Sequence, residues 1–562
     1  MTELIEWNEW KPETFERARK ADKLVLLDLS AVWCHWCHVM DETSYSDKGC
    51  AQVINEQFVP VKVWLDQRPD IGERYNLGGY PTTALLTPDG KMVGGGTYIP
   101  PRQLAPYLAS VNEEWKNNRA ELLARAATRV EEPIPFRELP GQLEKSAPEQ
   151  IANLLKADFD EAHGGFGDQP KFPVPETIQF CLLHYHVAKD RQALAMAEKT
   201  LQGITGIFDE TAGGFYRYSM NREWSVPHFE KLLELNAELL HCYLDAHLVT
   251  QRPDFKAIAE RTVAYVDKTL SDPQGFFYGS QDADEAYYHA APDDRARHKA
   301  PFVDRTLYVD ANAAMASSYL KAGVLLDRKE LVDRGLRCLD FLLAHCFDLK
   351  KGACHYVDSL RPQKYGLLMD NAALANALIE GYEYSGNPLY LYKAREALEF
   401  LVQNFWNAKR NAFNDALPEK KAIGFLNESL APIKENLLAA TALTRHAAIL
   451  GETKYKEIAE RVLKTFSLTY HEHGLYASLY GLALYKFLNP VVVSFYSAKV
   501  DEQALADARA CMKVFEPRRC VKYGSEVRHG QRAYLACSNK KCTPMLASLE
   551  EVLGELRDDD HR

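Results

Sequence analysis

The sequence predicts three kinds of structure in one chain: an α/β domain, a long all-α region that closes into an (α/α)6 barrel, and a small α/β appendage. Three observations carry this. Short β-branched runs alternate with helical stretches only before about residue 115. From about 149 to 490, long helical patterns follow one another without such runs. After Pro490, Val491-Val492-Val493-Ser494-Phe495-Tyr496 reopens the strand pattern. The expected division is 1–115, a linker at 116–148, the barrel at 149–490, and the appendage at 491–562.

In the first domain, Lys23-Leu24-Val25-Leu26-Leu27-Asp28-Leu29 and the run from Phe58 to Leu65 read as buried strands. Thr83-Ala84-Leu85-Leu86-Thr87 leads into the turn Pro88-Asp89-Gly90, and Met92-Val93 returns as its hairpin partner, with Gly94-Gly95-Gly96 beyond. Helices are expected at about 37–57 and 69–77, which gives an α/β order around a central sheet. A polar helix and then Pro133, Pro135, Pro140 and Pro148 mark the linker.

The all-α region is punctuated by Gly164-Gly165-Phe166, Gly213-Gly214-Phe215 and Gln274-Gly275-Phe276, with degenerate copies near 352 and 411. A period of about 50–75 residues holds two helices and a loop. Roughly twelve helices make six hairpins, whose second members fall near 176–190, 229–251, 310–328, 370–387, 429–452 and 475–488. Closed into a ring, these second helices line the interior; an open solenoid is the alternative. In the appendage, 502–514 and 544–556 read as helical, and 519–523 and 532–536 as extended.

Composition narrows the function. Charged residues are 26% and the net charge is −11, which disfavours nucleic acid and anionic membrane as partners. No apolar run reaches membrane-spanning length. The N-terminus lacks the basic and apolar segments of a signal peptide, so a cytoplasmic location is expected. Twelve cysteines are too few for a disulfide scaffold. Two close pairs stand out, Cys34 with Cys37 and Cys537 with Cys542, and the other eight read as packing residues. The later pair is compatible with a disulfide, half of a metal site, or neither.

Cys34-His35-Trp36-Cys37 follows a strand and opens a helix, where the N-terminal partial charge favours a thiolate on the first cysteine. The rival reading is metal binding by Cys34, His35, Cys37 and His38, but four ligands within five residues close poorly around one ion. No metal or cofactor is expected. Beyond the pair itself, residues 25–90 resemble thioredoxin. The resemblance gives Asp28 the place of its buried carboxylate, Lys62 that of the lysine partner, and Gly79-Tyr80-Pro81-Thr82 that of the cis-proline segment facing the disulfide. It implies that Asp28 takes a proton from Cys37 during exchange. The chain departs from thioredoxin in carrying His35-Trp36 between the cysteines, which leaves redox direction and substrate open.

Trp33-Cys34-His35-Trp36-Cys37-His38-Val39-Met40 is similar to a narrower family, the spermatogenesis-associated thioredoxin-like proteins, which join a thioredoxin-like front to a six-hairpin barrel. Gly94-Gly95-Gly96-Thr97-Tyr98-Ile99-Pro100, the segments 164–173 and 223–231, Ser280-Gln281-Asp282-Ala283-Asp284 and Met369-Asp370-Asn371-Ala372 fit the same family. The resemblance implies a barrel like those of N-acylglucosamine epimerases and six-hairpin glycosidases.

In such a ring the starts of the second helices share one end, where Lys171, Phe172, Tyr218, Trp224, His228, Glu230, Asp282, Asp284, Asp310, Asp370 and Asn371 are expected to converge. Carboxylates, amides and aromatic rings together suit a sugar-like ligand. Asp310, Asp370 and Ser429 read mainly as helix caps. For epimerisation His228 lacks a second histidine at a matching helix start, with His355 and His471 poorly placed. For glycoside hydrolysis Glu230, Asp282 and Asp284 are candidates. The expected function is thiol–disulfide chemistry with a disulfide protein partner, fused to a sugar-binding barrel. The alternatives are a sugar-active enzyme whose front domain is structural or regulatory, and a scaffold whose two sites are both vestigial.

Overall fold

The computed structural model describes residues 4–126, 141–525 and 532–557. Pro133, Pro135 and Pro140 of the expected linker lie outside them, while Pro148 sits in the first turn of a helix, Ala147–Asp158. The chain forms two compact units. The first comprises Met1–Pro133 with Asp282–Asp304 and Ala416–Leu430. The second comprises Ile134–Gln281, Arg305–Asp415 and Ala431–Arg562. No described helix is long and apolar enough to cross a membrane.

In the first unit, α1 (Pro12–Ala21) precedes β1 (Leu24–Ser30), α2 (His35–Glu42), α3 (Lys48–Gln57), β2 (Phe58–Trp64), α4 (Pro69–Tyr75), β3 (Thr82–Leu86) and β4 (Met92–Gly96). The sheet order is β2-β1-β3-β4, with β1 and β2 parallel and the other pairs antiparallel. Every residue of β1 is buried, as its continuous apolar run requires of a central strand. The helical stretch expected at 37–57 is two helices, the second capped by Asp47, whose side chain accepts from the Cys50 N–H. β4 runs on through the glycines. A Cβ at Gly95 would lie 2.4 Å from the Thr83 carbonyl oxygen, so only glycine allows the strand pair to close there.

The second unit is a ring. Its inner helices are Pro175–Ala188, Leu233–Thr250, Val309–Leu325, Leu368–Ser385, Ile433–Leu450 and Ala477–Leu488. Each packs on the next, and the sixth packs back on the first. These are the six second helices expected from the sequence, and the ring is closed rather than an open solenoid. They are buried on nearly all faces, whereas outer helices such as Arg191–Ile204 and Thr453–Phe466 bury a single stripe.

The glycine-phenylalanine punctuation has a mechanical role. In four inner helices the fourth residue is an asparagine: Asn236, Asn312, Asn371 and Asn436. Each accepts from a backbone N–H of the preceding loop, from Phe215 at 2.7 Å, Phe277 at 2.7 Å, Ala353 at 2.9 Å and Phe413 at 2.7 Å respectively. Each amide group also donates to the carbonyl four residues back. Asn371, expected among ligand-binding groups, is therefore a buried latch between loop and helix.

Residues expected to open the second and fifth inner helices stand just before them. His228 lies in a two-residue strand pairing Tyr218–Ser219 with Pro227–His228, and the helix begins only at Leu233. The fifth helix begins only at Ile433, after Pro432, so Ser429 does not cap it and falls instead in the segment Ala416–Leu430 of the first unit.

The last strand-rich part follows the expected pattern. Val491–Tyr496 lies between a parallel strand, Arg519–Gly524, and an antiparallel one, Ala533–Cys537. Helices Glu502–Met512 and Leu549–Arg557 accompany them.

Replacing one latch exposes its importance. Asn312→Ala leaves the Phe277 N–H and C=O without the side chain that pairs them, at a cost of about 2–4 kcal/mol. Guanidinium unfolding followed by circular dichroism should show the corresponding fall in midpoint; an unchanged midpoint contradicts the role of the latch.

Candidate functional site

In the first unit, Cys34 is the N-cap of α2 and its Sγ accepts from the Cys37 N–H at 3.2 Å. That donor and the positive end of the helix stabilise negative charge on this sulfur. The two sulfurs lie at disulfide distance, and Cys34 is 4% exposed. The Tyr80–Pro81 bond is cis. Because Thr82 pairs with Leu29 in the antiparallel register, Pro81 stands at the end of the sheet from which β1 runs on toward Cys34.

Asp28 is wholly buried on β1, in register with Lys62 on β2. Lys62 Nζ lies 3.1 Å from Asp28 and 2.7 Å from Asp41, which is on α2 one turn beyond Cys37. Ser30 Oγ donates toward both Asp28 oxygens, at 3.0 Å. Burial pushes the Asp28 carboxyl up to about 6, against the opposing pull of Lys62. Burial would lower Lys62, but Asp28 and Asp41 outweigh it and hold the amine above its ordinary value. The site thus contains a carboxyl able to hold or release a proton near neutrality and a lysine that stays charged.

Two groups missed in the sequence support this centre. Asp41 joins Lys62 to the cysteine helix. Asp66 accepts from the Trp33 indole N–H at 2.5 Å and from the Val32 N–H at 3.2 Å, tying down the loop that carries Cys34. Burial pushes Asp66 up to about 6 as well.

Asp282 and Asp284, expected at the barrel mouth, lie in the first unit. Asp282 approaches His38 at 3.4 Å and Glu285 approaches His35 at 3.5 Å. Asp284 caps a short helix, Glu285–His289, accepting from the Tyr287 N–H. Trp36, between the cysteines, is 43% exposed, with its ring centroid 5.2 Å from that of Tyr98.

In the second unit the expected groups separate into three sets. Lys171 and Trp224 are interior. Lys171 bonds Asp160 and the Gly164 carbonyl, and the Trp224 indole N–H donates to that same carbonyl at 3.2 Å. A Cβ at Gly165 would lie 2.6 Å from the Trp224 ring, which explains the glycine at φ +82° and leaves no face of this indole for a ligand. Phe172, Tyr218 and His228 form a stacked column, with centroids 4.6 Å and 4.8 Å apart, and Glu230 bonds His228 Nδ1. Asp310 and Asp370 meet His355, whose Nδ1 lies 3.0 Å from Asp370.

His355 corrects the sequence reading that placed it badly. It lies on a strand, Gly352–Asp358, whose antiparallel partner Leu307–Tyr308 runs directly into the helix bearing Asp310. Asp310, His355 and Asp370 offer ligand atoms within 4.8 Å of one another, an arrangement that can hold one metal ion.

Inside the ring lies a cavity of about 260 Å³. The second residues of four inner helices, Glu176, Glu234, Asp310 and Lys434, all line it, together with Glu238. Lys434 Nζ is 2.9 Å from Glu234 and 3.8 Å from Glu238. Lys434 holds Glu234 below the usual carboxylate range, while burial pushes Glu238 up to about 8 and Asp310 up to about 7. One signal for this set was present in the sequence: Glu234, Glu238, His241 and Asp245 recur at helical spacing along an otherwise apolar helix.

The titration of Asp28 gives a stability test. Its pKa is raised by folding, so its contribution is complete below about pH 4 and is lost as pH rises through 6. Asp28→Asn, which stays neutral, should gain on the parent chain by up to about 3 kcal/mol between pH 4 and pH 8. Denaturant midpoints measured across that range check it, and a pH-independent difference contradicts the buried, raised carboxyl.

Comparison with known proteins finds similarity over parts of the chain. Residues 1–133 match the family described as Thioredox_DsbH, "Protein of unknown function, DUF255". Human spermatogenesis-associated protein 20 is 33% identical over 307 residues, covering 50% of this chain and 39% of that protein. An uncharacterized protein of Caenorhabditis elegans is 28% identical over 481 residues, covering 81% of this chain and 62% of its own length. The chain thus spans between about two fifths and three fifths of these relatives. Among solved structures, cellobiose 2-epimerase from Bacillus thermoamylovorans has a TM-score of 0.47 and 12% identity, over 58% of this chain and 86% of that one. Residues 1–133 are thus similar to the family so described, and the chain is similar over part of its length to the spermatogenesis-associated protein.

Proposed function

We propose that the first unit carries out thiol–disulfide exchange with a disulfide-bearing protein partner. The observation that carries this is the Cys34–Cys37 pair at the start of α2, in a unit whose central strand β1 holds Asp28 beside Lys62 of the edge strand β2. In the reduced form the Cys34 thiolate attacks a substrate disulfide and releases one of its sulfurs. Asp28 takes the proton of Cys37, whose thiolate then attacks Cys34 Sγ, frees the second substrate sulfur and leaves the Cys34–Cys37 disulfide. The exposed Trp36 favours partners that can lie against an indole.

An assay with a small aromatic disulfide and dithiothreitol as the electron source tests this reading. Cys34→Ser should lower turnover by about a hundredfold or more, because the attacking sulfur is gone. Parent-like turnover in that variant refutes the mechanism.

The ring cavity supports a second reading, in which the second unit binds a neutral sugar-like molecule and acts on it. Its specific support is the split between Glu234, kept ionised by Lys434, and Glu238, kept protonated near neutrality: a base and an acid in one cavity. A sugar at a hundred times its Kd should stabilise the fold by about 2.7 kcal/mol. Thermal-shift screening of mono- and disaccharides should find such a ligand, and Asp310→Asn and Glu238→Gln should weaken it. Lack of stabilisation across the panel, or stabilisation indifferent to both changes, counts against the reading.

A further inference from the structure

The second close cysteine pair has no part in either site. Cys537 ends the strand Ala533–Cys537 and faces Cys542 across a tight antiparallel turn, with the sulfurs 2.03 Å apart. The eight remaining cysteines are all buried thiols, whereas Cys542 is exposed and Cys537 half-buried.

The bond adds little to the architecture. The turn is already held by Ser538 N–H donating to the Lys541 carbonyl at 2.7 Å and Thr543 N–H donating to the Ala536 carbonyl at 2.9 Å. Asn539 pins it to the end of the last inner helix through the Leu488 carbonyl and the Asn489 side chain. A disulfide closing so short a loop restricts the unfolded chain least of all. Exposed disulfides are the labile, exchangeable kind. Here Cys537 lines an open groove of about 320 Å³ beside Phe487, Pro490 and Val492. Lys540 and Lys541 immediately precede Cys542, and cationic neighbours favour the thiolate once the bond is broken.

We infer that Cys537–Cys542 is a second redox site, which exchanges electrons with a reduced CxxC dithiol of the kind the first unit carries, supplied by another copy of this chain. The inference rests on the thiol–disulfide reading of the first unit. The Cys34 thiolate of the donor attacks the exposed Cys542 Sγ, forming a mixed disulfide and releasing Cys537 as a thiolate. Cys37 of the donor, deprotonated, then attacks Cys34 Sγ and releases Cys542. Two electrons and two protons pass: the donor pair ends as a disulfide and the acceptor pair as two thiols.

Two full-length variants test this. A donor with Cys537→Ser and Cys542→Ser keeps only the first pair, and an acceptor with Cys34→Ser and Cys37→Ser keeps only the second. Alanine pairs replace the serines if either variant fails to fold. Reduced donor is mixed with oxidised acceptor, and oxidised donor with reduced acceptor. Both mixtures are quenched with acid, alkylated and read by peptide mass.

The expected result is convergence of both mixtures on one ratio, with the donor acting about tenfold or more faster than mercaptoethanol at equal thiol concentration. If the donor reduces a small aromatic disulfide but neither mixture exchanges, the second site is overturned while the first stands. If the donor reduces neither, the thiol–disulfide reading of the first unit falls, and this inference with it.

Discussion

The ring depends on one repeated bond. An asparagine at the fourth position of four inner helices reaches back to the loop that feeds the helix and satisfies a buried backbone N–H there. A loop that enters a buried helix must satisfy its backbone groups without water, and a side-chain amide can serve donor and acceptor together. The fourth residue is thereby committed to structure. The second residue, half a turn away, is free to point inward, and Glu176, Glu234, Asp310 and Lys434 do so. The cavity's chemistry follows from this division between positions two residues apart. The buried carboxyls beside Lys434 are pushed apart in acidity, and that separation gives the cavity its range of protonation states.

The first unit uses the same principle on a smaller scale. Parallel register between β1 and β2 sets Asp28 beside Lys62, and Lys62 reaches on to Asp41 of the cysteine helix. A buried acid, a charged lysine and the positive end of a helix thus stand on one sheet end. The segment 282–304 adds Asp282 and Glu285 close to the two histidines that flank the cysteines.

What was legible in the sequence were patterns with a fixed physical period. Strand runs, inner helices and the ring count could be read because spacing decides which face a residue shares, and the close Cys34–Cys37 pair because it follows a strand and opens a helix, while Asp28, Lys62 and Pro81 were named through the resemblance to thioredoxin. Depth could not be read. Lys171 and Trp224 look like ligand groups in sequence, but a buried aspartate and a glycine loop enclose them. His355 was passed over because it lies on a strand inside a region of helical repeats, and only pairing with Leu307–Tyr308 carries it to Asp310 and Asp370. Asp282 and Asp284 were misplaced for another reason: a long loop between two helices of the ring carries no local mark of the unit it joins.

The central claim is that Cys34 and Cys37 form a reversible redox pair. It is tested most directly by equilibrating the full chain in dithiothreitol or glutathione buffers of graded potential, trapping with acid and alkylation, and counting the oxidised pair by peptide mass. The account predicts one reversible two-electron transition, in which the ratio of disulfide to dithiol changes tenfold for about every 30 mV. A pair that never reduces and reoxidises reversibly, or cysteines that are capped singly by glutathione without forming their own disulfide, would contradict it.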